Sequence, residues 1–189
     1  MTTKAVGAKP LSGLRVLDFS HAAAAPFATM FLGDMGAEVI KIEKPKGGDG
    51  SRSMGVPMPM LGAKDSDYYV SLNRNKQSVV LDLAAPEGAA LAREMAKKSD
   101  IVVENFRPGT LEKWGLGYDV LRAIRPEIVL VRISAYGQDG PSSKQPGVAR
   151  IAYGYAGIAH LTGEPDGPPL LPGSSSMGDY AVGLYAAYG

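Results

Sequence analysis

The chain has 189 residues, 45% of them hydrophobic, and its 20 basic and 19 acidic side chains leave a formal net charge of +1. This composition suits an ordinary hydrophobic core, and the balanced charge favours neither a nucleic acid nor a membrane surface as a partner. Cysteine is absent, which excludes disulfides, thiolate nucleophiles and cysteine-based zinc sites. The two histidines, His21 and His160, stand in no metal-ligand spacing, so we predict no metal site.

Strand-like and helix-like segments alternate along the first 137 residues. The predicted strands are 14–19, 37–44, 77–83, 101–106 and 127–137, and the predicted helices are 26–36, 85–100 and a glycine-broken pair within 109–126. Strands that alternate with helices predict an α/β fold, here a Rossmann-like parallel sheet with helices on both faces and a buried fifth strand. Residues 137–173 are rich in glycine and proline and are interpreted as ordered surface loops.

The two ends of the chain lead to expectations about location and completeness. The N-terminal segment lacks the apolar stretch of a signal peptide, and no apolar run approaches the about 18 residues needed to span a bilayer. With no cysteine present, these features predict a cytoplasmic protein. The last segment, 180–189, is helical by periodicity but has no stop signal, which predicts that the chain is incomplete.

In an open parallel sheet, ligands bind beyond the carboxyl ends of the strands, so the loops after each strand carry the candidate residues. The first such loop, SHAAAAPFA, lacks the G-x-G-x-x-G fingerprint, which disfavours NAD. Its small residues suit close approach of a ligand and tight helix packing equally well. Basic residues follow the second strand and precede the third, and they fit either phosphate binding or a solvated surface: Lys41, Lys44, Lys46, Arg52, Arg74 and Lys76.

Acidic side chains are the candidates for a nucleophile or an acid-base group. They are Asp18, Asp34, Glu104, Asp166 and Asp179, with Tyr136 and His21 as auxiliaries. Asp179 is distinctive because it follows Gly178 at the start of a predicted helix, where backbone N–H groups and the helix dipole favour a carboxylate. Such a residue is more often a helix cap than a catalyst, and spacing alone leaves both roles open.

A series of segments in order along the chain resembles the class III CoA-transferases, the family of formyl-CoA transferase and carnitine CoA-transferase. The segments include LSGLRVLDFSH, IKIEKPKGGD, NRNKQSVVLDL, VVENFRPGTLEKWGLGYDVLRAIRP, ISAYGQDGP, LTGEPDGPP and GDYAVGLYAA. The resemblance covers nearly the whole chain. It implies that residues 1–189 form the N-terminal part of a large CoA-binding domain, ending with the start of a linker to a second domain. It also implies an intertwined homodimer, which a complementary C-terminal chain would complete if the polypeptide is split.

The resemblance implies an enzyme that moves CoA from an acyl-CoA donor to a small carboxylic acid acceptor, with no tightly bound cofactor. The family's nucleophilic aspartate stands in the GD that begins a helix, which is Asp179 here. The CoA-contacting positions correspond to Lys44, Lys76, Asn105, Phe106 and Lys113, and those near the acyl group to His21, Ala23 and Tyr136. Formyl-CoA transferase has glutamine at the position of Ala23, so a specificity for small acids like that enzyme's is not implied. Four apolar loop residues, Met54, Met58, Met60 and Leu61, fit an acyl pocket or a core equally well.

Two alternatives remain beside the transferase. A related branch, the α-methylacyl-CoA racemases, pairs the aspartate with a histidine in a GHD motif, because proton exchange needs two opposed acid-base groups. This chain reads GVA there, with Val148 and Ala149, so transfer is favoured over racemisation. The other alternative is a non-catalytic CoA-binding subunit of a hetero-oligomer.

Overall fold

A single parallel sheet forms the centre of the protein. The computed structural model describes residues 9–59, 65–173 and 176–189. Its strands are β1 (Arg15–Asp18), β2 (Glu38–Glu43), β3 (Lys76–Val80), β4 (Ile101–Glu104) and β5 (Val129–Arg132). All neighbouring strands run parallel, in the order β3-β2-β1-β4-β5. The predicted α/β fold with a Rossmann-like parallel sheet is therefore confirmed.

Helices connect the strands and continue beyond the last one. They are α1 (Ala24–Asp34), α2 (Asp67–Asn73), α3 (Pro86–Ala96), α4 (Thr110–Lys113), α5 (Tyr118–Ile124), α6 (Ala149–Tyr155), α7 (Ile158–Thr162) and α8 (Met177–Tyr188), with a 3-10 turn at Gly50–Ser53. In the described part of the chain, no helix combines the length and the apolar character that crossing a bilayer requires.

Two hydrophobic cores lie on opposite faces of the sheet because successive side chains of a strand point to opposite sides. Leu17 of β1 and Val102 of β4 belong to the core beneath α3, α4 and α5. Val16 and Val103, their neighbours in sequence, belong to the core beneath α1 and α8. All four side chains are fully buried, and each such burial contributes about 1.5–3 kcal/mol. Helices thus cover both faces of the sheet, as predicted.

The prediction of a buried fifth strand was wrong. The strand is short, Val129–Arg132, and it forms one edge of the sheet, where Val129 is 53% exposed. β3 forms the other edge and is also largely exposed. An outer strand has a hydrogen-bonded neighbour on one side only, so its apolar residues are less covered than their sequence pattern suggests.

The interpretation of residues 137–173 as loops was wrong in part, because α6 and α7 lie within this segment. Both helices are short, and α7 begins after Gly157 in a left-handed conformation with φ of 77°. Glycine within and between the helices concealed them from the sequence pattern. α2 was not predicted either, although Ser66 caps it by accepting a hydrogen bond from the backbone N–H of Tyr69.

α8 lies against α1, and this contact places the start of α8 beside the carboxyl ends of the strands. The ring centroids of Phe27 and Tyr180 are 4.7 Å apart across the contact. Gly183 is buried there, and a Cβ at this position would lie only 2.6 Å from the backbone oxygen of Ala24. The two helices approach so closely because residue 183 has no side chain.

Candidate active site

Several cavities open at the carboxyl ends of the strands in the described part of the chain, and two of them contain most of the candidate residues. The first, with a volume of about 430 Å³, is lined by the loops after β1, β2, β3 and β4, and we name it the aromatic cavity after His21, Phe106 and Trp114. The second, of about 310 Å³, includes Asp179 in its wall, and we name it the Asp179 cavity. Its other lining residues come from α1, α6, α8 and the segments after β4 and β5: Ala24, Asn105, Ile133, Ser134, Ala135, Gly147, Val148, Ala149, Ala152, Gly178 and Val182.

Asp179 lies in the first turn of α8 and is half-buried. Burial raises the pKa of its carboxyl above the ordinary value of 3.8. Among the described residues that line the Asp179 cavity, this carboxyl is the only ionisable side chain. The cavity therefore offers one weakly solvated carboxylate surrounded by small and apolar groups.

The residues on either side of Asp179 in the sequence are anchored to other helices. The backbone N–H of Gly178 donates a hydrogen bond of 2.7 Å to the hydroxyl of Tyr153 in α6. The ring of Tyr180 packs against Phe27 of α1. These contacts on both sides fix where the Asp179 carboxylate stands, and the partial positive charge at the helix start favours its ionised form.

Asn105 connects the two cavities. Its side chain follows β4 and lines the Asp179 cavity, whereas His21, which follows β1, lines the aromatic cavity. The Asn105 amide accepts a 3.0 Å hydrogen bond from the backbone N–H of His21 and donates one of 2.8 Å to the His21 carbonyl. A ligand that extends from one cavity to the other would therefore pass this pair.

Aromatic rings form one wall of the aromatic cavity. The ring centroids of His21 and Phe106 are 5.2 Å apart, and those of Phe106 and Trp114 are 5.1 Å apart with an edge-to-face arrangement. Loss of water around the imidazole lowers the pKa of His21, although the residue as a whole is exposed; Asp49 opposes this shift, and the nearby Lys41 and Lys44 add to it. A mainly neutral, aromatic surface of this kind suits stacking of a planar ring.

Two exposed cations line cavities at this end of the sheet, and a third exposed cation, Lys113, lies on α4. Lys44 lines the aromatic cavity, and Arg107 lines a smaller cavity of about 190 Å³ that shares Asn105 and Phe106. Lys113 lies at the end of α4 and lines neither of the two main cavities. Within the described ranges, none of the three forms an ion pair with a carboxylate. Their charges are therefore available to an anionic ligand.

Lys76 lies away from both cavities, in contrast to its expected role. Its ammonium group is buried, pairs with Asp18 at 3.1 Å and donates hydrogen bonds of 2.9 Å to the backbone of Pro26 and to Asn73. Burial lowers the pKa of Lys76 to about 8, and Asp18 partly opposes this shift. The charge of Lys76 is used within the protein, and the structure gives no access from it to a ligand in either cavity.

The other candidate residues occupy varied positions. Ala23 is buried and occupies the N-cap position of α1, next to Ala24 of the Asp179 cavity. Tyr136 packs edge-to-face on Tyr155 at 5.3 Å and lines neither main cavity. Met54 and Met58 also line neither, and Met60 and Leu61 lie outside the described residues.

Most of the candidate acids have other partners. Asp18 pairs with Lys76, Asp34 with Arg74, and Glu104 with Arg132. The remaining two are Asp166, which is exposed and lines neither main cavity, and Asp179. Of the five acids singled out from the sequence, only Asp179 faces a cavity without a charged partner among the described residues.

Sequence reasoning missed several lining residues. Trp114 and the turn after β3, which includes Leu81 and Asp82, line the aromatic cavity, and Ser134 lines the Asp179 cavity. Ser134 stands two residues after the end of β5. The rule that ligands bind beyond the carboxyl ends of strands would have indicated Ser134 and the turn after β3, had the strand ends been known.

Known proteins share extensive sequence similarity with this chain. The beta subunit of succinyl-CoA–L-malate CoA-transferase from Chloroflexus aurantiacus is 49% identical over 95% of this chain and 44% of its own length. Succinyl-CoA:glutarate CoA-transferase from Mus musculus is 46% identical over 94% of this chain and 40% of its own length. The chain thus spans less than half the length of these curated relatives.

Structural and family comparisons cover the same region. The crystal structure of a CAIB/BAIF family protein from Brucella suis superposes with a TM-score of 0.89 at 37% identity, over 95% of this chain and 47% of that one. The model of CoA-transferase family III matches residues 11–189, which include both cavities and Asp179. With the fold, the relatives and the family model in agreement, this chain belongs to CoA-transferase family III.

Proposed function

We propose that the protein containing this chain is an acyl-CoA:carboxylate CoA-transferase in which Asp179 is the nucleophile. The observation that carries the proposal is the placement of Asp179. Its carboxylate is the one ionisable group among the described residues of its cavity, and Asn105 connects that cavity to an aromatic cavity flanked by cations.

The aromatic cavity suits the nucleotide part of CoA. A volume of about 430 Å³ is within the range of small-molecule sites, and Phe106 and Trp114 offer faces and edges for the adenine ring. Lys44, Arg107 and Lys113 supply charge for the phosphates, since ammonium and guanidinium groups form strong hydrogen bonds with them. The thioester end would then pass the Asn105–His21 pair to reach Asp179. In this proposal CoA is a substrate, and no tightly bound cofactor takes part.

The reaction proceeds by covalent catalysis. The Asp179 carboxylate attacks the thioester carbonyl, the C–S bond breaks, and a mixed anhydride and the CoA thiolate form. The thiolate attacks the aspartyl carbonyl, which releases the donor acid and leaves an aspartyl-CoA thioester. The acceptor carboxylate attacks this thioester to give a second anhydride and free thiolate. The thiolate then attacks the acceptor's acyl carbon, which yields the new acyl-CoA and restores Asp179. Each step is easier than direct exchange.

The surroundings of Asp179 suit both its nucleophilic attack and the stabilisation of the negative charge that develops during the reaction. Burial removes water from the carboxylate and raises its pKa, which makes the group more basic and so a stronger nucleophile when ionised. The start of α8 carries partial positive charge, which stabilises negative charge that develops on an oxygen nearby.

The cavity favours transfer over proton exchange. A racemase needs two opposed acid-base groups at the α-carbon. Val148 and Ala149, which stand where the racemase branch has histidine and aspartate, line the Asp179 cavity, so the second group is missing from the position where it would act. The presence of Asp179 in a cavity likewise favours a catalytic chain over a purely CoA-binding subunit.

We place the active protein in a dimer in the cytoplasm. Large apolar side chains are exposed on α7 and α8, including Leu161 at 83%, Tyr185 at 81% and Tyr188 at 96%. A homodimer partner, or a complementary chain, would cover such a surface. The absence of cysteine suits a reducing compartment.

Trapping the covalent intermediate tests the proposal. The protein expressed from its complete coding sequence is incubated with acyl-CoA and then with hydroxylamine, which converts the acylated carboxylate into a hydroxamate that mass spectrometry locates. We expect the modification on Asp179 only when acyl-CoA is present.

Two variants complete this test. The Asp179→Asn variant should not be modified by hydroxylamine. Its transfer rate should fall by more than about a thousandfold, because an amide cannot replace the carboxylate nucleophile. Asp166→Asn is the matched control, because it changes an exposed acid that lines neither main cavity. This variant should keep the modification on Asp179 and the wild-type transfer rate. Undiminished transfer by folded Asp179→Asn protein would exclude the proposal.

A further inference from the structure

The loop between β1 and α1 is held by side chains from three other segments. Asn105, after β4, bonds both the N–H and the carbonyl of His21. The ammonium group of Lys41 in β2 donates a 2.7 Å hydrogen bond to the carbonyl of Ser20. The carboxylate of Asp49, in the loop after β2, accepts a 3.1 Å hydrogen bond from the N–H of Ala22.

Lys41 and Asp49 form one buried unit. Their charged atoms are 2.9 Å apart, and their side chains are 0% and 1% exposed. Asp49 also accepts hydrogen bonds from the N–H and the hydroxyl of Ser51, at 2.9 and 2.8 Å, which hold its own loop. The pair therefore joins the loop after β1 to the loop after β2.

Both joined loops line the aromatic cavity. Ser20 and His21 come from the first loop, and Gly48, Asp49 and Gly50 from the second. The relative position of these two walls decides the width of the cavity. Lys41 and Asp49 determine that position through hydrogen bonds to backbone atoms.

The backbone of the loop adopts an unfavourable conformation at Ala22. Its φ is 62°, in the left-handed region that residues other than glycine, asparagine and aspartate rarely adopt. Such a conformation is energetically unfavourable and persists only where the surroundings impose it. The hydrogen bond from Ala22 to Asp49 and the two bonds at His21 supply that constraint.

Stability alone is a weak explanation for this buried pair. Removing two charges from water is costly, and replacing a buried ion pair by apolar residues is often neutral or stabilising. We propose that Lys41 and Asp49 are positioning residues that hold the Ser20–Ala23 loop in the one conformation that presents His21 and the cavity wall to acyl-CoA. This inference rests on the proposed function for the identity of the ligand.

Asp49→Asn tests the inference in the protein expressed from its complete coding sequence. Asparagine keeps an oxygen that accepts from Ala22, but it loses the ion pair with Lys41. We expect KM for acyl-CoA to rise at least about tenfold, because a displaced binding wall misplaces the ligand. The apparent affinity for CoA alone, measured by calorimetry, should fall by a similar factor.

Asp100→Asn is the matched control. Asp100 forms an ion pair with Arg125 and accepts a 2.8 Å hydrogen bond from the backbone N–H of Arg15, so it joins two segments as Asp49 does. Asp100 stands directly before β4, at the amino end of the strands, whereas both cavities open at their carboxyl ends. Its loss should lower the unfolding temperature and leave KM and CoA affinity within about twofold of the wild type.

A second variant covers the case in which Asp49→Asn does not fold. In the double variant Lys41→Gln with Asp49→Asn, no buried charge is left unpaired, and both side chains keep hydrogen-bonding groups. We expect this protein to fold and to show the same loss of CoA affinity.

The outcomes separate this inference from the proposed function. Weaker CoA binding in the Asp49 variants but not in Asp100→Asn supports the positioning role, even if Asp179 is never acylated. Unchanged CoA affinity in a folded Asp49 variant, or an equal loss in the Asp100 control, overturns it, even if Asp179 is the nucleophile.

Discussion

Gly183→Ala should move Asp179 without touching it. Residue 183 lies one helical turn after Asp179 in α8, at the contact with α1. The added Cβ would lie 2.6 Å from the backbone oxygen of Ala24 and 2.9 Å from a ring carbon of Phe27, whereas ordinary contact begins at 3.4 Å. Because the nearest atom belongs to the backbone, it cannot rotate away, and α8 has to retreat by about 0.8 Å.

A displacement of this size predicts two measurable effects. Overpacking of this contact should cost about 1–3 kcal/mol of unfolding free energy. A shift of nearly 1 Å in the nucleophile should reduce kcat about a hundredfold, while KM for acyl-CoA changes little, because the aromatic cavity is not built from α8. Denaturant unfolding and steady-state transfer assays measure the two quantities separately.

Gly154→Ala is the control for this prediction. Gly154 lies within α6, and a Cβ there meets no atom within 4 Å. The substitution should leave kcat unchanged and stabilise the helix by about 0.5–1 kcal/mol. If Gly183→Ala folds and keeps the wild-type kcat, then the close approach of α8 to α1 does not position Asp179, and the reasoning fails.

Two further predictions concern charge. Lys44→Gln should raise KM for acyl-CoA about two- to fivefold at low salt, which is the scale of an exposed ion pair. The difference in KM should shrink at high salt. The control Lys98→Gln, at the amino end of the strands before β4, should show neither effect. The acylation rate should fall as the pH is lowered through the pKa of Asp179, because only the ionised carboxylate attacks, and burial places that pKa above 3.8. Stopped-flow release of CoA thiol after a brief pH jump measures how the acylation rate depends on pH. An acylation rate that stays constant down to pH 3.8 would contradict the role of Asp179 as the nucleophile.

The sheet was predictable from the sequence because its central strands carry a strong apolar pattern. Val16 with Leu17 and Val102 with Val103 place large apolar side chains on both faces, which only a strand covered twice requires. The short helices α6 and α7 were not predictable, because glycine at positions 154 and 157 weakens the helical pattern in that segment.

Lys76 shows why the placement of a site residue is harder to predict from sequence than the fold. In the sequence it belongs to a polar run that suits a surface loop, but it is the first residue of β3 and pairs in register with Val39. Paired residues share a face of the sheet, so Lys76 points toward α1 and meets Asp18. A shift of one residue in the strand would have turned it to the other face, and no local pattern fixes that choice.

The Asp179 cavity illustrates a second limit. Its wall combines Asn105, Ser134, Val148 and Asp179, which lie on separate elements up to 74 residues apart in the chain. Spacing arguments apply within one element, so the assembly of such a wall follows only from the packing of α8 and α6 at the carboxyl edge. The resemblance to a family, and not the local pattern, singled out Asp179 from the other acids.

The placement of charge within the sheet separates binding from stability. On the face beneath α1, the carboxyl halves of β1 and β2 bury Asp18, Lys41 and Glu43, whereas on the opposite face the same two strands bury Leu17 and Ile42. Buried ions add little net stability, because desolvation offsets their attraction. They do bond the backbone of loops that have no strand partner, as Lys41 does for Ser20. At the amino end of the strands, the corresponding pair of Arg125 and Asp100 is partly solvated. Substitutions in the apolar face should therefore change stability first, whereas joint replacement of Lys41 and Asp49, which leaves no unpaired buried charge, should change ligand affinity first.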